Sequence, residues 1–572
     1  MTIAALLGVA GVIALIVVVV LLRERWQQWW FECEDPRQIA RFRVVFALLL
    51  LCNVNGLHEW FELLFEPSGM FTAAQARAAF GAADEGAVAA LGALLRGNFS
   101  VLHYWDDAYA FTVVLVVFEL ATVLFMVGLC TRVAGLITLV AFEMILWRNR
   151  VFWEGTEVVF RVFLVYLVCS RCGEAFAVDA WLRRRRGVQG PPALVPAWPR
   201  RLMLVQLCII MTTTGLLKHD GAWLRGDAVY YALSYEHYTR FRITGLLARI
   251  PPEAMAAVTF TARSIETLFS LALVGVIGSW SEARFTRLQG TQRTAVVVAW
   301  WVALACAAGV ALVTGEPRLV PVDSPVLAAA ALLVTVGGSA WVWTRARPSA
   351  WRRVHDPRVW VGAAALLFSA MWLLMNIGWF HPVMLATLLV FTRCGPPHHA
   401  TLAYSPRVRA LGGVLIAWHL VAIAATVHPK AAKFAAARMW MDATRTAQGW
   451  GMWATPPETN VFLKAVAFDA SERAVELATD LHLAELRPPA SLGYDRRWKI
   501  AEVLAKPRSQ RFRSGHARWL CRTHPGTARI ELRAVEYRIP TPAENRSLGG
   551  YDVDAVFRER ATQRLLLDHA CP

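Results

Sequence analysis

One lysine is set apart in the first part of the chain. Lys218 is the only lysine before Lys430, although arginines occur throughout this region. It directly follows the apolar segment Leu202–Leu217 and lies five residues before Trp223. Burial disfavours the charged form of a lysine, and the neutral amine can act as a general base, whereas arginine stays protonated. Lys218 is therefore a candidate catalytic base; the alternative is a lysine whose stem lies along apolar surface while its ammonium reaches water.

Other ionisable side chains inside the apolar segments are few. A charge at membrane depth is costly, so each of them is expected to be paired or functional. Arg263 and Glu266 lie three positions apart, share one face of a helix and can form an ion pair. In the alternative, Glu266 lines a polar cavity and orients a ligand. The other members of this set are Glu119, Glu143, Arg161 and His419, and either glutamate can pair with the arginine.

The composition indicates the class of protein that holds these residues. Of the 572 residues, 56% are hydrophobic and 18% are charged, and the mean hydropathy is +0.42. Soluble domains carry about 25% charged residues. These values exclude a disordered chain, a collagen-like chain and a small disulfide scaffold. The net charge of +17 does not indicate a nucleic-acid-binding protein, because the chain is too apolar. A multi-pass membrane protein is the class that remains.

The apolar segments predict the architecture. A transmembrane helix needs roughly 20 apolar residues, and about a dozen segments approach that length, with Val158–Cys172 and His381–Phe391 shorter than the others. We predict an all-α polytopic membrane protein with about 10–12 transmembrane helices and a small C-terminal α+β domain outside the membrane. Residues 1–22 read as an N-terminal anchor, because they lack the basic start of a signal peptide. Residues 23–429 form the transmembrane domain, which includes a predicted span at 325–343.

The arginines are distributed unequally over the loops. One set of alternate loops carries about twice as many basic residues as the other, so the positive-inside rule places that set in the cytoplasm. Lys218 and the tail, residues 430–572, then lie on the opposite side of the membrane. In the tail, Phe462–Phe468 and Ile530–Ile539 have the β-branched and aromatic residues of strands, and Ala431–Ala447 has helical spacing.

The tail contains two cysteines, Cys521 and Cys571. If the tail lies outside the cytoplasm, these two can form a disulfide. The other cysteines lie in or beside apolar segments, where cysteine behaves as a small hydrophobic residue. Cys169 and Cys172 form a CxxC pair without a second pair of ligands, so no metal site is predicted.

Several segments match the motifs of a known family, in the family's order. Asp35–Arg43 reads DPRQIARFR, Gly128–Arg132 reads GLCTR, Trp147–Arg150 reads WRNR, and Ile377–Ala386 contains IGWF and VMLA. The lysine lies in Gly215–Ala228, GLLKHDGAWLRGDA. This ordered set resembles the DPxxLAxFR, GLCxR, WNNH, IGxF…VMLA and lysine motifs of the vitamin K-dependent gamma-carboxylases and the wider horizontally transferred transmembrane (HTTM) family. Further similar segments are Val178–Ala180 and, in the tail, Gln448–Trp453.

The resemblance implies a chemistry. The family lysine that matches Lys218 is the base that deprotonates reduced vitamin K, and the oxygenated quinone then removes a proton from a glutamate side chain, to which carbon dioxide adds. By resemblance, Asn149, Arg150 and Glu266 belong to the substrate and cofactor cavity, and Trp223 is a ring-stacking group. The expected cofactor is reduced vitamin K or menaquinone. The expected partners are membrane lipids and a protein or peptide substrate, without nucleic acid. The expected location is a bacterial inner membrane, with the reaction on its extracytoplasmic side.

The chain departs from the carboxylases in three places. Arg150 stands where the WNNH loop has a histidine, and the stretch that begins at Phe368 lacks the carboxylases' histidine and asparagine. The tail is also much shorter than a carboxylase lumenal domain. Two functions are therefore open. One is a quinone-dependent, carboxylase-like membrane enzyme; the other is a non-enzymatic membrane helper, or a transporter, for the maturation or export of another protein.

Overall fold

A bundle of α-helices makes up the larger part of the protein. The computed structural model describes residues 3–81, 86–187, 193–285, 289–314, 353–392, 402–424, 435–477, 497–506 and 509–572. A short antiparallel sheet pairs Cys33–Glu34 with Val195–Pro196. The described helices before residue 430 are Ile3–Leu21, Arg23–Phe31, Arg37–Asn55, Phe61–Phe65, Ala73–Phe80, Ala87–Arg96, Ala110–Val127, Thr131–Arg148, Gly155–Cys169, Val178–Arg185, Trp198–Leu217, Gly221–Arg225, Ala228–Ser234, Thr244–Arg249, Pro252–Leu268, Ser270–Arg284, Gly290–Thr314, Pro357–Leu374, Phe380–Thr387 and Pro406–Ala424.

Within the described part of the chain, six helical segments are long and apolar enough to cross a membrane. The predicted fold class is confirmed, because the protein is mostly helical, has several helices of membrane length and carries a few strands near its C-terminus. The six segments are Arg37–Phe65, Ala110–Val127, Trp198–Leu217, Pro252–Arg284, Pro357–Leu374 and Pro406–Ala424.

Other predicted spans take a different form. The predicted short span at 158–172 is the 15-residue helix Gly155–Cys169. The one at 381–391 is the short helix Phe380–Thr387, which a 3₁₀ turn continues to Phe391. The predicted span at 325–343 lies outside the described residues. The apolar segments of the sequence therefore predict more transmembrane helices than the six of sufficient length in the described part of the chain.

A chain of buried hydrogen bonds crosses the bundle. The indole N–H of Trp440 donates to Nδ1 of His419 at 3.1 Å, and Nε2 of His419 lies 2.8 Å from the Tyr166 hydroxyl. Because Nδ1 accepts, the proton of the neutral ring is on Nε2, which donates to the tyrosine oxygen. The tyrosine O–H then donates to Oε1 of Gln206 at 3.3 Å. With the proton of His419 on Nε2, the Trp440 indole, both nitrogens of the imidazole and the Tyr166 hydroxyl are all hydrogen-bonded.

The same chain of bonds fixes the first segment of the tail. Gln206 and Gln448 pair through both of their amide groups. The Trp450 indole N–H donates to Oε1 of Gln448 at 2.6 Å, and the Trp450 ring is buried. The segment after the last described membrane helix is therefore bonded through its side chains to the bundle helix Trp198–Leu217.

The tail forms a four-stranded antiparallel sheet with helices on both faces. The strand order is Ala474–Glu476, Thr459–Phe468, Arg529–Arg538 and Thr562–Ala570, and Thr459 pairs with Arg538. The predicted strands at 462–468 and 530–539 fall on the two central strands. On one face Phe462, Val535 and Tyr537 pack together. The described helices of the tail are Ala435–Ala443, Arg497–Ala505, Gln510–Thr523, Pro542–Ser547 and Val553–Arg560.

The loop after helix Ala228–Ser234 fastens the tail to the bundle. Oδ1 of the buried Asn460 accepts from the backbone N–H of Glu236 at 2.9 Å, and the Tyr238 hydroxyl donates to Glu502 at 3.0 Å. Burial raises the pKa of Glu236 to about 7, even though Arg242 lies 3.2 Å away and acts in the opposite direction. The tail is therefore held against the bundle by polar contacts as well as by the chain connection.

A disulfide joins Cys521, near the end of helix Gln510–Thr523, to Cys571, just after the last strand. It links the edge strand Thr562–Ala570 to the helix that packs on the same sheet. The loop it closes spans 50 residues, and a cross-link over that length stabilises a fold by about 4 kcal/mol in the chain-entropy model.

The buried chain of bonds leads to a stability prediction. Tyr166→Phe removes the hydroxyl that accepts from His419, so a buried N–H loses its partner. We expect the free energy of unfolding to fall by about 1–3 kcal/mol, measured by thermal or denaturant unfolding in detergent micelles. Tyr109→Phe is the matched control, because the Tyr109 side chain is 73% exposed. Equal stability of the two variants would contradict the proposed bonding.

Candidate functional site

Lys218 lies where two helices come unusually close. It caps the end of the lysine helix, Trp198–Leu217, which packs against the glutamate helix, Pro252–Leu268. A Cβ at Gly215 would lie 2.5 Å from the backbone nitrogen of Thr267, so only glycine allows this approach without a shift. The close contact, one turn before the lysine, brings the C-terminal ends of the two helices together.

The result is a buried ion pair between Lys218 and Glu266. The ammonium donates to Oε2 of the carboxylate, and the two side chains are only 6% and 7% exposed. Nζ of Lys218 also lies 4.8 Å from the ring centroid of Trp223, at cation–π distance. The lysine therefore does not extend into water, as the snorkelling alternative required. Arg263, which the spacing offered as the partner of Glu266, is not the residue that pairs with it.

A short turn holds Trp223 in place. Asp220 caps helix Gly221–Arg225 by accepting from the backbone N–H of Ala222 at 2.9 Å. The helix ends at Gly226, which has φ +85° and a position where a Cβ would lie 2.5 Å from Cβ of Ala256. The indole N–H of Trp223 donates to the backbone oxygen of Trp453, in the tail, at 2.8 Å. The lysine motif thus forms a rigid turn between the glutamate helix and the tail.

Lys218 and Glu266 face a cavity whose other walls are mostly apolar. His381 is the further polar ring in this wall; it is fully buried, and neither of its nitrogens has a hydrogen-bond partner among the described residues. Buried polar side chains are almost always hydrogen-bonded, so an imidazole of this kind is available to a ligand or a water molecule. The lining residues are Ile210, Met211, Thr214, Lys218, Glu266, Phe368, Met371, Ile377, Phe380, His381, Met384, Met452 and Trp453.

The cavity is narrow. Its free volume is about 30 Å³, which is room for one or two water molecules. Four of its walls are methionine side chains, at Met211, Met371, Met384 and Met452. Methionine is unbranched and adapts its shape readily, so these walls can move apart around a larger ligand. An aromatic ring fits this site only with such a movement.

Asn149 and Arg150 do not belong to this cavity. Asn149 is fully buried, donates to the backbone oxygen of Leu64 at 3.2 Å and accepts from the backbone N–H of Val151 at 2.9 Å. These bonds give it the role of holding its own loop. The guanidinium carbon of Arg150 lies 4.8 Å from the ring centroid of Trp147 and 4.6 Å from that of Trp153, and these three residues line a second cavity, with a volume of about 460 Å³. Neither residue lines the cavity of Lys218.

The remaining predicted residues do converge, and the sequence missed several that join them. Lys218 contacts both Glu266 and Trp223, whereas Cys521 and Cys571 form the disulfide in the tail. His381 lies within the IGWF…VMLA stretch, and its type and spacing alone do not place it beside Lys218. A lone histidine at the start of an apolar segment was the signal that could have identified it. Within the described part of the chain, no group of His, Cys, Asp and Glu side chains is arranged to hold a metal ion.

A known family model matches the region around the lysine. The family model of the HTTM domain matches residues 97–288. These residues are similar to the HTTM domain. The matched region includes both helices of the Lys218–Glu266 pair and the loop that carries Arg150, whereas His381 and Trp453 lie beyond it. No curated protein and no solved structure matches the chain.

The helix contact beside the lysine can be tested by two alanine substitutions. Gly215→Ala places a methyl group against the backbone of Thr267, and we expect a loss of about 1–3 kcal/mol in stability from overpacking. Gly362→Ala is the control, because a Cβ there meets nothing within 4 Å and alanine favours a helix. Thermal unfolding in detergent micelles distinguishes them. If both variants are as stable as the wild type, close packing does not position Lys218.

Proposed function

We propose that this protein is a quinone-dependent, carboxylase-like membrane enzyme in which the amine of Lys218 acts as the base. The observation that carries the proposal is the buried Lys218–Glu266 pair, which faces an apolar cavity together with the unpartnered imidazole of His381. A few convergent polar groups in an otherwise apolar cavity are typical of cofactor sites. The HTTM match over this region is consistent with the proposal.

The residues present suit a reduced quinone of the vitamin K or menaquinone type. The methionine and phenylalanine side chains would contact its ring, and a nitrogen of His381 would bond to a ring oxygen. The group would supply a strong base once it has reacted with oxygen. Because the free volume is small, binding requires Met211, Met384 or their methionine neighbours to change rotamer.

Glu266 has a specific part in the chemistry of Lys218. A carboxylate stabilises the ammonium form, and the ammonium form cannot accept a proton. Transfer of one proton from Nζ of Lys218 to Oε2 of Glu266 gives a neutral amine and a carboxylic acid. The neutral amine can then accept a proton at Nζ from an acidic hydroxyl group of a ligand.

The test compares two lysine-to-arginine variants. Lys218→Arg keeps a positive charge for Glu266 but removes the group that can lose its proton. We expect turnover of reduced menaquinone, with incorporation of labelled bicarbonate into a glutamate-rich peptide, to fall at least about 100-fold, because a positioned base contributes that much or more. Lys464→Arg is the control, since Lys464 pairs with Glu476 in the tail, away from the cavity.

Three results decide the matter. Wild-type turnover that is lost in Lys218→Arg, with an unchanged melting temperature, supports a catalytic lysine. Turnover retained by Lys218→Arg contradicts it. No turnover and no copurifying quinone in the wild type, under conditions in which a known carboxylase works, favours the alternative of a non-enzymatic helper. The narrow cavity is the observation that speaks for that alternative.

We also propose that the protein lies in a bacterial inner membrane with its tail on the extracytoplasmic side. The disulfide between Cys521 and Cys571 supports this side, because such bonds persist in oxidising compartments. The arginine-rich alternate loops support it independently.

The side of the tail can be measured on intact cells. A cell-impermeant maleimide is expected to label the tail only after mild reduction, and Cys521→Ser should make Cys571 reactive without reduction. Cells made permeable before labelling give the total signal. Labelling that occurs only after permeabilisation would place the tail in the cytoplasm.

A further inference from the structure

One short helix, which lines neither cavity, presents an apolar surface that the protein leaves uncovered. Helix Ala87–Arg96 has 10 residues, and its exposed side chains include Val88, Leu91, Leu94 and Leu95. With 3.6 residues per turn, these four side chains fall within an arc of about 120°. The helix is about 15 Å long, which is half the thickness of the hydrocarbon core of a bilayer. It is therefore too short to cross a membrane, and its apolar arc calls for a partner other than water.

The opposite side of this helix is attached to the tail. Ala93, across the helix from the apolar arc, is buried, and the helix packs against helix Ala435–Ala443. The guanidinium of Arg445 donates to the backbone oxygen of Leu94 at 2.7 Å. These contacts fix the rotation of the helix, so that its apolar arc points away from the protein.

Helix Ala435–Ala443 itself lies at the end of a membrane helix. Ala437 and Met441 are buried against Ala422, which is in the last turn of helix Pro406–Ala424. Met439, between the two buried residues, is exposed. The element to which the short helix is attached is therefore at the level where a membrane-length helix ends, and it also turns an apolar side chain outward.

Aromatic side chains mark the membrane boundary from a second direction. Tyr104 and Tyr109 are both exposed, and Tyr109 directly precedes the membrane-length helix Ala110–Val127. Tyrosines in this position are typical of the boundary between hydrocarbon and water. Phe99, just after the end of helix Ala87–Arg96, stacks on Tyr104 with the ring centroids 5.8 Å apart. The short helix is thus joined to the membrane boundary at its end as well as along its side.

We infer that helix Ala87–Arg96 is an interfacial helix, whose apolar arc is buried among the acyl chains of membrane lipids on the side of the tail. Helices of this kind lie in the plane of the membrane surface with their apolar side in the lipid. Lipid is the partner that fits, because both elements that hold the helix mark the membrane boundary. Arg96, in the last turn, is exposed, and its long side chain can reach the headgroups.

The interfacial helix would hold the start of the tail at the membrane surface. Arg445, which bonds to the helix, is followed closely by Met452 and Trp453, which line the Lys218 cavity. Lipid contact at the helix would therefore restrain the segment that forms a wall of that cavity. The inference does not depend on the quinone proposal, because none of the residues that carry it is part of the Lys218 site.

The test is photo-crosslinking of the whole protein in the membranes of the cells that produce it. The photoreactive residue benzoylphenylalanine replaces one leucine in each of three variants: Leu91 in the interfacial helix, Leu120 in the membrane-length helix Ala110–Val127, and Leu565 in the edge strand of the tail. The three side chains are 56%, 61% and 55% exposed, so the probe is similarly accessible in each. Melting temperatures of the purified variants verify that all three fold, and mass spectrometry identifies the adducts.

We expect phospholipid adducts on the acyl chains at Leu91 and at Leu120, and their loss at Leu565. Leu565 is the matched control, because it is the same residue type with the same exposure in the tail. A phospholipid yield at Leu91 that is no higher than at Leu565 would overturn the inference. It would also be overturned if the main adduct at Leu91 were a second copy of this chain or another protein, since the apolar arc would then be a protein interface.

Discussion

A charge placed among apolar helices must find a partner, and this constraint organises the bundle. Lys218 and Glu266 satisfy it for each other across two helices. At another helix junction, Glu32 contacts both Arg201 and Arg284. Breaking one such pair leaves an uncompensated buried charge, which costs several kcal/mol. Each pair therefore fixes the two helices that carry it relative to each other.

Two buried arginines are hydrogen-bonded to the backbone of the bundle. The buried Arg148 donates to the carbonyl oxygens of Phe65, Glu66 and Phe71, and the buried Arg43 donates to those of Cys172 and Phe176. These bonds close the ends of helices and loops that would otherwise leave carbonyl groups without partners. Arginine suits this task because its five donors can bind several oxygens at once. Lys218, the only lysine before Lys430, pairs instead with the carboxylate of Glu266.

The tail is part of both cavities rather than an appended domain. Its first segment, Gln448–Trp453, is bonded to the bundle through Gln206 and supplies walls to the two cavities in turn. Trp453 also accepts from Trp223, the ring that contacts Lys218. Movements of the tail would therefore alter both cavities at once. Two hydrogen bonds between the bundle and the tail, Glu236–Asn460 and Tyr238–Glu502, oppose such movements.

The sequence alone determined the membrane class and the two central strands of the tail, and it set Lys218 apart as the only lysine before Lys430. These follow from composition, from the chemical difference between lysine and arginine, and from local patterns of β-branched and aromatic residues. It could not determine the partner of Glu266. Spacing on one helix favoured Arg263, but the close approach at Gly215 brought Lys218, 48 positions away, into contact. The sequence also could not show that Arg150 lies outside the cavity of Lys218 or that His381 lines it. Only tertiary packing decides which side chains from distant segments share a cavity. A buried charge pairs with a residue of a neighbouring helix when packing brings that residue closer than any partner on its own helix.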